Sequence, residues 1–109
     1  MRRVVVTGVG LVSSLGTGVE KTWEALLKGE TGIKLIESFD TEDLAVKMAG
    51  VVDDFNPEDF GIDKKELKKL ARFSQFGIAA SKMALDDSGL IIDENNAERI
   101  GVIVSSGIG

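Results

Sequence analysis

The sequence predicts an α/β fold, because two short β-branched runs stand at either end of a chain whose middle carries helical periodicity. The runs are residues 3–9 (RVVVTGV), too short and too branched for a helix and ending in glycines, and 100–104 (IGVIV). Their near-continuous apolar character predicts strands buried on both faces of a sheet. Between them, apolar residues recur at helical spacing in two places, giving the order strand, helix, helix, strand.

In chain order, the first run exits through Gly8, Gly10, Gly16 and Gly18. Thr17 and Glu20 have capping-box spacing, in which hydroxyl and carboxylate each satisfy a free amide at a helix start. Val19, Trp23, Leu26 and Leu27 then form an apolar stripe, and Gly29 offers a left-handed stop, so a helix is predicted over 18–28. Residues 33–36 and 47–52 are predicted as short strands in a stretch that turns repeatedly. Asn56-Pro57 suits an N-cap followed by proline, a single turn closing near Gly61. Asp63 and Glu66 mark another helix start, with Leu67, Leu70 and Ala71 on its apolar side. A longer, buried helix follows, with Phe73, Phe76, Ala80, Met83 and Ala84 on one face and small Gly77, Ala79 and Ser81 admitting a close neighbour, ending at Gly89.

The 109 residues, 43% hydrophobic and 28% charged, suit one small domain or a piece of a larger one. A terminal apolar strand leading straight into Ser105-Ser106-Gly107-Ile108-Gly109 reads as an interruption, so the chain is expected to be a piece of a larger unit. No apolar run reaches the roughly 18 residues of a membrane span, and the opening Arg2-Arg3 lacks a signal-peptide pattern. A cytoplasmic protein without nucleic-acid or membrane partners is expected from this and from the net charge of −5. With no Cys and no His, these residues hold no Cys-His or Ser-His-Asp nucleophilic site and no His-based zinc site.

Three constellations remain. Gly8-Val9-Gly10 after a strand resembles the start of a dinucleotide fingerprint, with Glu37 or Asp40 loosely placed for a ribose. Ser13 at the third glycine position and the late helix start depart from that motif, so a ligand-free strand-exit turn and a nucleotide-binding βα unit both stand. Lys64, Lys65, Lys68, Lys69 and Arg72 cover an arc of roughly 140° at 100° per residue, either a solvated face or, against the negative background, a surface for an acidic partner or phosphate. Asp53-Asp54 and Asp86-Asp87 are neighbouring carboxylates; on a helix adjacent side chains diverge by about 100°, so solvated surface is the expected reading rather than a metal or acid/base pair.

From end to end the chain resembles the β-ketoacyl-acyl carrier protein synthases, and within them the type II elongating enzymes of fatty-acid synthesis. The resemblance runs through RRVVVTGVGLVSSLG, TWEALLKGETGI, FDTEDLAVKMAG, DSGL and NAERIGVIVSSGIG. It implies a thiolase-like fold, five-layered α-β-α-β-α in the complete homodimeric protein, of which residues 1–109 begin the N-terminal half. It implies decarboxylative condensation of an acyl thioester with malonyl-acyl carrier protein, using a Cys nucleophile and two His that have no counterpart position here. No catalytic residue is therefore expected in this chain, no metal, and no cofactor beyond the phosphopantetheine arm that the carrier brings. Lys65, Lys68 and Lys69 resemble family positions on which the acidic carrier docks, and Gly107 and Ile108 resemble positions lining the acyl pocket. The alternative is a non-enzymatic fragment that still binds the carrier.

Overall fold

The computed structural model describes residues 1–108 and divides into two units, one of Leu11–Asn56 and one of Met1–Gly10 with Pro57–Gly109.

In the Leu11–Asn56 unit, strands β1 (Val12–Ser13) and β2 (Gly16–Thr17) pair antiparallel, Val12 opposite Thr17 and Ser13 opposite Gly16. Gly16 turns with φ 147°, a region that disfavours a side chain. Helix α1 (Val19–Leu27) follows, capped by Gly18 with no side-chain cap bond. The expected Thr17 cap is therefore displaced, because the Thr17 hydroxyl donates to the Asp54 carbonyl instead. The helix is anchored by its polar side: Thr22 is buried, within 2.8 Å of the Ser13 hydroxyl, and also donates to the Gly16 carbonyl. That anchoring turns the apolar stripe outward, leaving Trp23 59% exposed beside exposed Val19, Leu26 and Leu27. The stop at Gly29 matches expectation: with φ 72° it lets its own amide reach Leu26 and that of Glu30 reach Ala25, the paired bonds of a Schellman turn.

Strands β3 (Ile33–Leu35) and β4 (Met48–Gly50) form an antiparallel hairpin with Lys34 opposite Ala49, within the two ranges expected to be strands. Its loop is held by the Asp40 carboxylate, which accepts the Glu42 amide at 3.0 Å. Gly32 is required where it stands, since a Cβ there would lie 2.1 Å from the Ser14 hydroxyl.

In the other unit, the proline start gives a 3-10 turn (Pro57–Phe60) that closes through Gly61 at φ 74° and buries Ile62 to 2% exposure. Helix α2 (Lys64–Leu67) is a single turn that begins at the predicted start, where Asp63 and Glu66 form a capping box. Ala71 is extended and starts helix α3 (Arg72–Ser88), which ends at Gly89 in the left-handed conformation. Gln75 and fully buried Ala79 face inward, and Gln75 Nε2 donates to the Leu70 carbonyl at 3.2 Å. Phe73 is exposed, and Phe76, Met83 and Ala84 are half-buried, so α3 is covered less than its sequence predicts.

Residues 3–9 and 100–104 are not strands here: neither forms a hydrogen-bonded ladder, and Val4, Val5, Val6, Val102, Ile103 and Val104 are exposed. Local β preference does not make a strand without a neighbouring backbone to bond, and the described residues place none beside either run. The amino-terminal run lies on α3 instead. A Cβ at Gly8 would sit 2.3 Å from the Ala84 carbonyl oxygen, and one at Gly10 would sit 2.1 Å from that of Ala80. After α3, Asp93 and Asn96 bond reciprocally through a turn that leads into a 3-10 segment (Ala97–Arg99).

Candidate functional site

The unit containing α2 and α3 holds two features with chemical potential, a basic turn and an apolar groove. The basic turn is built by its cap. Asp63 Oδ1 accepts the amides of Lys65 at 2.9 Å and Glu66 at 2.8 Å, while the Asp63 amide donates back to Glu66 Oε2 at 3.4 Å. Lys68 keeps helical angles and the Lys69 amide donates to the Glu66 carbonyl, so the winding continues through both. Leu67 and Leu70 are half-buried while Lys64, Lys65, Lys68 and Lys69 are exposed, and among the described residues none of these four ammonium groups is paired with a carboxylate. Arg72, expected on the same stripe, belongs to α3 because Ala71 breaks the helix, and its guanidinium lies 5.0 Å from the Phe76 ring centroid.

The groove has a volume of about 510 Å³ and runs between α3 and the carboxy-terminal segment. Phe73, Gly77, Ile78 and Leu85 line one side, and Val102 and Val104 the other. Gly77 matters here: a Cβ at that position would come 3.7 Å from Val104 Cγ1, ordinary contact that would narrow the groove. Lys82, also in the wall, donates its ammonium to the Phe60 carbonyl, tying the groove to the turn that precedes α2. Ser105 and Ser106 line the end of the groove. Ile108 is not in its lining; it is 95% exposed, its carbonyl accepts the Ser106 hydroxyl at 3.0 Å, and among the described residues a Cβ at Gly107 would meet open space. The small residues of α3 were the sequence's signal for a close neighbour, but nothing in the residue types marked Phe73, Lys82 and Val102 as sharing a wall.

The glycine pair has a packing role. Gly8 and Gly10 spend their missing side chains on the α3 backbone, and the Val9 amide donates to Asp87 Oδ2 at 2.9 Å. A phosphate in front of those glycines would meet Ala80 and Ala84, which favours the ligand-free turn over the nucleotide reading. Asp86 and Asp87 do not converge, since Asp87 is committed to Val9. Of the other neighbouring pair, Asp53 bonds Lys34 at 3.3 Å and Asp54 bonds Lys21 at 2.7 Å. The Lys21 hydrogen bond and then its charge hold the Asp54 carboxyl below the ordinary carboxylate value against an opposing desolvation, with a lesser contribution from the Thr17 backbone. Among the described residues no group of three acidic side chains gathers as a metal site.

Comparison with known proteins agrees with the resemblance. Residues 1–109 match the family described as "Beta-ketoacyl synthase, N-terminal domain". Over 108 residues the chain is 51% identical to 3-oxoacyl-(acyl-carrier-protein) synthase 2 of Vibrio harveyi and 49% identical to the protein of that name from Staphylococcus aureus (strain COL). Each alignment covers 99% of this chain and 26% of the relative, so the chain spans about a quarter of their length. A solved structure, "The ishigamide ketosynthase/chain length factor", superposes with TM-score 0.72 at 43% identity over 83% of this chain and 22% of that one. The α/β architecture is thus that of a ketosynthase, in keeping with the thiolase-like fold the sequence implies. Matched from its first residue to its last, the chain belongs to the β-ketoacyl synthase family, as sequence of its N-terminal domain.

Proposed function

We propose that this chain is part of an elongating β-ketoacyl-acyl carrier protein synthase and contributes the surface on which the carrier docks. The observation that carries the reading is identity of about one residue in two with 3-oxoacyl-(acyl-carrier-protein) synthase 2 across the whole chain. In the reaction, an enzyme thiolate takes the acyl group from one thioester. Malonyl-carrier protein then loses CO2, and its C2 carbon attacks the acyl carbon to release the thiolate and leave a β-ketoacyl-carrier two carbons longer. The thiolate and the groups that stabilise the developing oxyanion lie outside these residues, which contain neither Cys nor His, so the 109 residues alone are proposed to be inactive.

What these residues supply is recognition. Lys65, Lys68 and Lys69 present exposed ammonium groups, unpaired among the described residues, on and just after the capped turn, suited to an acidic carrier whose phosphopantetheine arm brings the thioester and makes a resident cofactor unnecessary. Gly107 and Ile108 are assigned to the acyl pocket, where the Ile108 side chain would limit chain length; its full exposure leaves it available to that role. The complete enzyme is proposed to be a cytoplasmic homodimer. Among the described residues, no helix is long and apolar enough to cross a membrane. The docking assignment is tested by titrating holo acyl carrier protein against a full-length synthase containing this segment and its Lys65→Glu, Lys68→Glu, Lys69→Glu variant at low salt. Weaker binding by the variant supports it, and unchanged affinity removes it. A binding-only role for the chain is distinguished by carrier affinity without condensation in any protein that carries this segment.

A further inference from the structure

The lysine surface contains two carboxylates that simple charge complementarity does not want. Asp63 immediately precedes Lys64 and Lys65, and Glu66 lies between Lys65 and Lys68. An acidic partner should be repelled by both, so removing either should strengthen binding if charge alone governs the encounter. Their geometry gives them another task. Helix α2 has only four residues, far below the length at which a helix sustains itself, and its free amides are met by these two side chains. Asp63 Oδ1 takes the Lys65 and Glu66 amides at 2.9 and 2.8 Å, and Glu66 Oε2 returns to the Asp63 amide. Below the turn, Ile62 is buried and Leu67 half-buried, so winding also decides which side faces inward and which presents ammonium groups.

We propose that Asp63 and Glu66 are positioning residues for carrier recognition: their reciprocal cap holds Lys64, Lys65, Lys68 and Lys69 on one outward face, and this outweighs the repulsion their charges exert. The inference rests on the docking reading above and adds residues that touch no partner atom. If the turn unwinds, the lysines remain but scatter, and apparent affinity falls with the fraction of chains still wound.

The test separates charge from capping at one position. Asp63→Asn and Asp63→Ser remove the negative charge and keep a side-chain oxygen that accepts the amides; Asp63→Ala removes the same charge and the cap. Binding of holo acyl carrier protein is measured for each in a full-length synthase containing this segment, with the melting curve confirming that the protein stays folded. The expected result is affinity equal to or tighter than the unaltered chain for Asn and Ser, and a dissociation constant raised about threefold to fivefold for Ala relative to Asn. Glu66→Gln against Glu66→Ala should repeat the split, since Gln can close the box. Equal affinities for Asp63→Ala and Asp63→Asn, with the triple lysine variant still weakened, overturn the positioning role alone. A triple lysine variant that binds as well as the unaltered chain overturns the docking reading and this inference with it.

Discussion

Gly10 lies so close to Ala80 that a Cβ added to it would stand 2.1 Å from the Ala80 carbonyl oxygen. The obstacle is helix backbone, which cannot rotate aside as a side chain could. Gly10→Ala is therefore expected to destabilise the chain by about 1–3 kcal/mol, toward the upper end of the cost of overpacking. Gly8→Ala, facing Ala84 and Ser88, should do the same. Denaturant unfolding measures both, and a change below about 0.5 kcal/mol, the size of an ordinary surface substitution, would show that the amino-terminal run does not sit on α3.

Asp87 fixes that run from the side by accepting the Val9 amide. Asp87→Ala leaves the amide without this partner, and because the contact is exposed, water can replace much of it. A loss of about 0.5–1.5 kcal/mol is expected, seen as faster hydrogen exchange at Val9 together with a lower unfolding midpoint. Unaltered exchange at that amide would contradict the contact.

Acid should weaken the Leu11–Asn56 unit through Asp54. Its carboxyl titrates below the ordinary value of 3.8 when folded, so its contribution is present above that value and is lost as pH falls through the lower, folded one. Both partners of the Lys21–Asp54 pair are more than half exposed, which makes the effect small and sensitive to salt. Lys21→Met should flatten the acid limb of the stability curve at low ionic strength. A limb identical to that of the unaltered chain would remove Lys21 as its cause.

Exposed valines and isoleucines at 4–6 and 102–104 leave apolar backbone runs unpaired, so the 109-residue chain by itself should bind an apolar dye and associate as its concentration rises. Sedimentation and dye fluorescence test this. A concentration-independent monomer with a sharp, reversible transition and no dye binding would contradict it.

What the sequence disclosed follows the range of the interactions involved. Stops at Gly29, Gly61 and Gly89 and the Asp63 cap depend on bonds spanning a few residues, and each appears where the residue types place it. The strand expectation for 3–9 and 100–104 failed because a ladder depends on a distant partner that β-branched composition does not supply. Thr17 was misassigned for a related reason, its hydroxyl being drawn to Asp54, 37 residues away. The lysines of the basic turn were readable from their spacing, whereas the groove arises from α3 and residues 102–106 meeting, which no local pattern encodes.

The most direct test of the proposed role is the mass of the carrier after reaction. A full-length synthase containing this segment is incubated with acyl-carrier and 13C-labelled malonyl-carrier protein, and the carrier is weighed intact. The account predicts a β-ketoacyl-carrier extended by two labelled carbons with release of CO2, and a lower kcat/KM when Lys65, Lys68 and Lys69 are replaced by Glu. Carrier that is never extended by the folded protein would contradict the synthase reading, and extension at an unaltered kcat/KM in the lysine variant would contradict the docking surface.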